Sequence, residues 1–95
     1  MTVKNGNLGA AVIAEGGKVE VNKDGGNDVK LEGTIEARAI EDSPGSGNLV
    51  NGTVKVNFDT AQSYLVGNSY TATDSTTDLK FTNGAYWDPV SYTHL

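Results

Sequence analysis

The chain has no cysteine, and its 95 residues include one histidine, one tryptophan, two phenylalanines and two prolines. Without cysteine, neither disulfide bonds nor thiolate metal or redox chemistry can contribute. No apolar run approaches the roughly 20 residues of a membrane-spanning helix, so we predict no membrane span. Met1 is followed by neither a basic nor an apolar region, and no signal peptide is visible.

The net charge and the thin core limit the kinds of partner that the chain is expected to have. The net charge of −5 repels nucleic-acid phosphates, so nucleic acid is excluded as an expected partner. Apolar residues make up 37% of the chain, but eight of them are alanine, which leaves a thin core. Small cores of this kind usually need additional support. We therefore predict a protein partner or self-association.

The last six residues, 90–95, read VSYTHL. This string resembles the translation of a sequencing-library adapter, although VSYT also has the composition of an ordinary last strand. The resemblance implies a non-native tail that contains the only histidine, His94. We accordingly expect one all-β domain over residues 1–89, truncated within a metagenomic fragment.

Strand signals recur along the chain as two-residue alternation. In residues 29–39 apolar or small side chains alternate with polar ones, and residues 50–58 repeat the pattern. Clusters of Gly, Asn, Asp and Ser separate these segments. This pattern of strands and turns predicts an all-β antiparallel meander of six or seven strands, folded as a sandwich or a partly closed barrel.

A faint internal echo aligns GKVEVNKD at residues 17–24 with GTVKVNFD at residues 52–59, an offset of 35 residues. One interpretation is a repeat array such as a solenoid. With only two copies, the preferred interpretation is that two strands share ordinary composition.

No residues suggest catalysis. Acid–base chemistry needs a poised pair of titratable groups, most often including histidine. Glu20, Glu32 and Glu36 fall on strand faces, where carboxylates opposite Lys or Arg usually form cross-strand charge pairs. We predict no enzyme activity, no catalytic residue and no cofactor.

The glycine-rich stretch at residues 22–28 bunches oxygen ligands and raises the question of calcium. An EF-hand loop with Asn22 at its first position would need an acidic or amide ligand fifth and glycine sixth. Gly26 and Asn27 stand there instead, so the pattern fails. A hairpin turn is the preferred interpretation, and we predict no metal site.

Tyr86 and Trp87 are the only adjacent aromatic pair, and with Asp88 beside them they could stack on a glycan. The competing interpretation is that Trp87 caps the open end of the core, with its indole N–H reaching a carbonyl. Tyr64 and Tyr70 carry the same ambiguity.

Residues 17–58 carry a G-x-V-x-V-x-K strand, a "GT" strand at Gly33-Thr34, a variable loop and an "NG" strand at Asn51-Gly52. This block resembles small envelope-lipoprotein β-domains of unknown function from gut bacteria. The resemblance implies a calycin-like or immunoglobulin-like fold at the cell surface, although the chain lacks a lipobox cysteine and continues past Phe58.

Three functions remain open. The first is a non-catalytic extracytoplasmic domain with a structural, adhesive or ligand-binding role. The second is a virion structural protein of a phage tail, decoration or fibre. The third is a carbohydrate-binding module that uses Tyr86 and Trp87.

Overall fold

The computed structural model describes residues 1–5 and 9–89, and these form strands, turns and loops. The suspected non-native tail at residues 90–95 lies outside the described residues. Twelve strands follow one another in this described part of the chain. They are β1 (Thr2–Lys4), β2 (Ala10–Glu15), β3 (Lys18–Val21), β4 (Lys30–Glu32), β5 (Thr34–Arg38), β6 (Ile40–Glu41), β7 (Leu49–Val50), β8 (Thr53–Phe58), β9 (Tyr64–Val66), β10 (Ser69–Thr71), β11 (Thr76–Phe81) and β12 (Tyr86–Asp88).

Ten of these strands form three parallel sheets. Sheet A has the order β1-β4-β9-β12, sheet B the order β10-β5-β2, and sheet C the order β11-β8-β3. The chain passes through the sheets in the order A, B, C. Each such pass, which we call a coil, lies beside the previous one. This is the arrangement of a parallel β-solenoid, in which each coil contacts only its neighbours.

The all-β class is therefore confirmed, while the predicted antiparallel meander is wrong, as are the sandwich or barrel and the six or seven strands. Strands that are consecutive in sequence do not pair in the three large sheets, because each continues into a different sheet. The turn clusters thus mark corners between sheets. A corner and a hairpin turn draw on the same residues, chiefly glycine and asparagine.

The offset of 35 residues between the two similar segments corresponds to one coil of this solenoid. Lys18 pairs with Thr53 and Val19 with Val54, in a parallel ladder between β3 and β8. The preferred interpretation, shared strand composition without a repeat, is wrong. The two segments are similar because they occupy equivalent positions in neighbouring coils.

The predicted two-residue alternation is confirmed by burial. Leu31, Ile35, Val54 and Phe58 are fully buried, whereas Arg38 is exposed. The one long strand expected over residues 29–39 is two strands, β4 and β5, separated by a corner at Gly33. The hydrophobic cluster is continuous and consists of Val12, Ala14, Val29, Leu31, Ile35, Ala37, Val54, Val56, Phe58 and Leu65.

An antiparallel hairpin interrupts the second coil between sheets B and C. In it Ile40 of β6 pairs with Val50 of β7. The Glu41 carboxylate accepts hydrogen bonds from the backbone N–H groups of Gly45 and Gly47, at 3.4 and 2.7 Å, and so orders the turn. Val50, expected on the inner face, is 41% exposed because it belongs to this protruding hairpin.

Candidate functional site

Strand β12 places Tyr86 and Trp87 on opposite faces of sheet A. Trp87 lies beside the buried Leu65, whereas Tyr86 lies beside Tyr64 on the outer face. Successive side chains of a strand point to opposite sides of the sheet. The two rings predicted as a pair therefore cannot form one continuous stacking platform.

Trp87 closes the last coil over the core. Its indole N–H donates a 2.8 Å hydrogen bond to the Gly67 carbonyl oxygen. The indole stacks on Phe81, with ring centroids 6.0 Å apart, and Phe81 stacks on Phe58 at 4.4 Å. The three rings form a column along the solenoid axis. This geometry agrees with the prediction that Trp87 caps the core and that its N–H reaches a carbonyl.

Tyr86 covers Tyr64 on the outer face of sheet A. The two ring centroids are 5.7 Å apart and the planes differ by 24°. The Tyr64 hydroxyl donates to a Glu32 carboxylate oxygen at 3.4 Å. Burial, and then the negative charge of Glu32, raise the pKa of Tyr64 above its usual value.

Tyr70 of β10 lies next to a cation on the outer face of sheet B. The Arg38 guanidinium carbon is 5.7 Å from the Tyr70 ring centroid, within the range of a cation–π contact. The Glu36 carboxylate fixes this guanidinium by accepting a 2.7 Å hydrogen bond from Arg38 Nε. The Thr34 hydroxyl also donates to Glu36, at 2.7 Å. The bond from Thr34, opposed in part by burial and reinforced by Arg38, lowers the pKa of Glu36.

Tyr70, Tyr86 and Trp87 lie on the last described strands of sheets B and A, and we term the end of the ladders that they mark the aromatic end. Each ring is in contact with a residue of the preceding coil: Arg38, Tyr64 and Phe81 respectively. Strands β10 and β12 are the last strands of their sheets in the described part of the chain. The side of each ring away from the preceding coil is thus not covered by another described strand. The three side chains are 55%, 51% and 41% exposed, in the same order.

The sequence indicated two of these three aromatic residues, Tyr86 and Trp87, and left Tyr70 ambiguous. It gave no sign of Arg38 as the group beneath Tyr70, because the two residues meet only through the pairing of β5 with β10. The usable signal was the offset of 22 residues between Tyr64 and Tyr86, which is one coil. That offset could be interpreted only once the repeat was recognised.

The loop at residues 22–28 is a solenoid corner, and the predicted hairpin turn is wrong. Strands β3 and β4, which flank the loop, lie in sheets C and A. The Asn22 amide donates to the Asn57 carbonyl oxygen at 3.0 Å and to an Asp59 carboxylate oxygen at 3.0 Å. Asp59 also accepts two hydrogen bonds from the Gly26 N–H. These oxygens serve to hold the loop against the second coil.

The strand carboxylates form ion pairs along strands. Glu20 lies 3.3 Å from Lys18 on β3, and Glu36 pairs with Arg38 on β5. Across strands, the register places Lys55 between Glu20 and Asp78 on the outer face of sheet C, but no ion pair within 4.0 Å joins them among the described residues. The predicted cross-strand ion pairs are thus wrong for Glu20 and Glu36. Within residues 1–5 and 9–89, no cluster of three or more acidic or histidine side chains could hold a metal ion.

No family model, no curated protein and no solved structure matches the chain. The class of protein is therefore argued from the fold. In the part of the chain that the structure describes, no helix is long and apolar enough to cross a membrane. The described residues define a parallel β-solenoid with three partly exposed aromatic rings on the last described strands of sheets A and B.

Proposed function

We propose that this chain is a non-catalytic structural module of an extracytoplasmic surface protein. The observation that carries the proposal is the set of three parallel ladders, which run along one axis and end in the aromatic end. A solenoid keeps the same geometry along its length, because each coil is held by backbone hydrogen bonds to its neighbours. Such a module suits a rigid spacer or an adhesive stalk.

The contacts of the acidic side chains support a structural role. Glu36 binds Arg38 and Thr34, Glu41 binds two glycine N–H groups, and Asp59 binds Gly26 and Asn22. Each carboxylate holds a strand face, a hairpin or a corner in place. A catalytic acid or base would instead be poised in a cleft beside a second titratable group.

The proposed location rests on the resemblance of residues 17–58 to envelope-lipoprotein domains, although the calycin-like or immunoglobulin-like fold that it implied is wrong for this chain. The complete coding sequence with its flanking genes tests the location. A secretion leader or lipobox upstream of residue 1 is the expected result. A genuine start at Met1 among virion genes would overturn the extracytoplasmic location in favour of a phage tail, decoration or fibre protein.

Glycan binding is a second candidate, favoured by the uncovered side of Tyr86. A tyrosine ring that stacks on Tyr64 with one face can stack on a sugar with the other. Tyr86→Ala is the better test variant, because Trp87 also stabilises the core through its hydrogen bond to Gly67 and its stacking on Phe81. Glycan-array binding that is lost in Tyr86→Ala, with an unchanged circular dichroism spectrum, would support this candidate. Binding that survives the substitution would exclude Tyr86 as its platform.

A further inference from the structure

The outer face of sheet C carries a groove of about 220 Å³, which we term the sheet C groove. Its polar lining comes from all three strands and from the corner after β3, and consists of Glu20, Lys23, Lys55, Asn57, Asp78 and Lys80. Strand pairing brings these residues together, because Lys55 lies between Glu20 and Asp78, and Asn57 lies beside Lys80. These positions are on the face of the sheet, so they do not depend on which strand lies next to β3 or β11.

Positive charge dominates the sheet C groove, although the chain as a whole carries −5. The Glu20 carboxylate lies 3.3 Å from the Lys18 ammonium group and is thereby paired. The other charged lining groups are three lysines and one carboxylate, that of Asp78, and none of these four forms an ion pair within 4.0 Å in the described part of the chain. Asp59, the next outward residue of β8 after the groove, already accepts hydrogen bonds from the corner at residues 22–28.

The charge of the rest of the chain has little effect at this face. At physiological ionic strength, exposed charges separated by more than about 8 Å are largely screened from one another. A ligand in the sheet C groove therefore interacts chiefly with the lysines that line it. The groove favours an anionic ligand.

Two of the lysines are placed to bind one ligand together. Lys55 and Lys80 lie on neighbouring strands and are offset by two residues, because Lys55 pairs with Asp78 and Lys80 pairs with Asn57. The spacing of strands and residues in a sheet puts the Cα atoms of the two lysines about 8 Å apart. Since a lysine side chain is long and flexible, both ammonium groups can reach the same carboxylate or sulfate group.

The sheet C groove also requires hydrogen-bond donors in its ligand. The ionised carboxylate of Asp78 can only accept hydrogen bonds. The Oδ1 atom of Asn57 is buried and has no hydrogen-bond partner among the described residues, which costs free energy in the unbound chain. Rotation of the Asn57 amide about χ2 brings this oxygen to the groove, where a ligand hydroxyl can donate to it.

We infer that the sheet C groove binds an acidic saccharide, a sugar that carries carboxylate or sulfate groups as well as hydroxyls. The anionic group contacts Lys55 and Lys80, and the hydroxyls donate to Asp78 and Asn57. An acidic peptide offers carboxylates, but its donors are mainly backbone N–H groups. Duplex DNA carries one charge per about 1.7 Å, a density that three lysines do not match. This inference goes beyond the proposed structural role and does not involve Tyr86, which lies on sheet A.

Oligogalacturonate, in which every sugar carries a carboxylate, is the test probe, and its methyl ester is the uncharged control. NMR titration of the ¹⁵N-labelled chain with up to about 10 mM probe detects dissociation constants in the millimolar range. The amide signals of Lys55, Asn57 and Lys80 should shift with oligogalacturonate and stay in place with the ester. Equal shifts with both probes would overturn the anionic character of the ligand.

Other anions test the choice of ligand class. A sulfated oligosaccharide of the same length that binds more tightly than oligogalacturonate would support the inference and assign sulfate as the recognised group. Polyglutamate or an oligonucleotide that binds more tightly than both sugars would overturn the choice of a saccharide. No shift with either sugar would overturn the site itself.

Lys55→Gln and Lys80→Gln, each checked for native circular dichroism, test the position of the site. Each should weaken binding of oligogalacturonate by about two- to fivefold, the range expected for one exposed ion pair. Lys4→Gln makes the same change in charge on sheet A and should leave the affinity unchanged. An equal loss in Lys4→Gln would show that binding follows the net charge, and would overturn the groove as the site. Tyr86→Ala should also bind normally, and a loss of binding in this variant alone would place the sugar on sheet A instead.

Discussion

Gly67 lies directly against Gly33 at the corner between sheets A and B. A Cβ atom on Gly67 would fall well inside van der Waals contact of the Gly33 carbonyl oxygen. Gly67 also has φ of +150°, a region that residues with a side chain rarely adopt. The close approach lets the corner continue the ladder, since the Gly33 N–H donates to the Val66 carbonyl oxygen at 3.0 Å.

Gly67→Ala should therefore destabilise the fold by about 2–4 kcal/mol, through backbone strain and a clash with main-chain atoms that cannot move aside. Urea unfolding followed by circular dichroism measures the change. Gly17→Ala is the matched control, because a Cβ at Gly17 would meet nothing within 4 Å. Its expected effect is within about 0.5 kcal/mol. Equal effects of the two substitutions would show that the corner is not tightly packed.

Trp87 should contribute to stability in two separable parts. Trp87→Phe keeps an aromatic ring over Phe81 but removes the indole N–H, which leaves the Gly67 carbonyl without that donor. We expect a loss of about 1 kcal/mol, the net value of a typical hydrogen bond. Trp87→Ala should cost about 2 kcal/mol or more, because the column of three rings loses its end.

The free energy of unfolding of both variants, measured in urea by circular dichroism, checks this order. Tyr86→Ala provides the comparison, since Tyr86 is on the opposite face and 51% exposed. It should be less destabilising than Trp87→Ala. If Trp87→Ala proves neutral, the indole does not cap the core.

The local pattern of this fold was accessible from the sequence, but the pairing was not. Alternation correctly indicated the buried faces around Ile35 and Val54, because the two-residue period holds for any strand with one buried side. Parallel and antiparallel pairing leave the same alternation when one face is solvated. The signal that separates them is a repeat at a fixed period.

Here the period varies from coil to coil. Thr2 pairs with Lys30, Lys30 with Tyr64, and Tyr64 with Tyr86, which are offsets of 28, 34 and 22 residues. The 34-residue coil contains the β6–β7 hairpin. Only the echo between residues 17–24 and 52–59 survived as visible similarity. The sequence therefore indicated Tyr86 and Trp87 at the aromatic end but left Tyr70 ambiguous, because Tyr70 meets Arg38 only through the stacking of coils.

Asp59 should be the residue that holds the corner at residues 22–28. Asp59→Asn keeps the size of the side chain but removes the charge that strengthens its bonds from the Gly26 N–H and the Asn22 amide. Because hydrogen bonds to charged groups contribute about 1.5–3 kcal/mol, and this site is partly exposed, we expect a loss of about 1–2 kcal/mol. Thermal or urea unfolding checks the value.

Asp24→Asn, an exposed change in the same loop, is the control and should be nearly neutral. Adding calcium provides a second check. Because the Asp59 oxygens already accept bonds within the corner, calcium should leave the unfolding midpoint of the wild-type chain unchanged. A midpoint that rises with calcium and fails to rise in Asp59→Asn would show that the corner is a cation site after all.

Glu36 should make stability depend on pH in the acid range. Its pKa is lowered in the folded state, chiefly by the Thr34 hydroxyl and further by Arg38. A depressed carboxyl pKa stabilises the folded state at pH values above the unfolded pKa, about 4.3, and this contribution is lost as pH falls through the folded pKa. The difference in unfolding free energy between wild type and Glu36→Gln should therefore be largest near pH 6–7 and shrink below about pH 4. Asp24→Asn, an exposed change in the loop at residues 22–28, is the control.

Thr34→Ala separates this electrostatic explanation from a packing effect. Removing the hydroxyl takes away the largest cause of the shift, so the pKa of Glu36 should rise and the loss of stability should begin at a higher pH. An NMR titration of the Glu36 carboxyl measures the shift directly. If the titration is unchanged in Thr34→Ala while stability falls equally at every pH, Thr34 acts through packing alone. Glu36 would then hold the Arg38 guanidinium beside Tyr70 without help from the Thr34 hydroxyl.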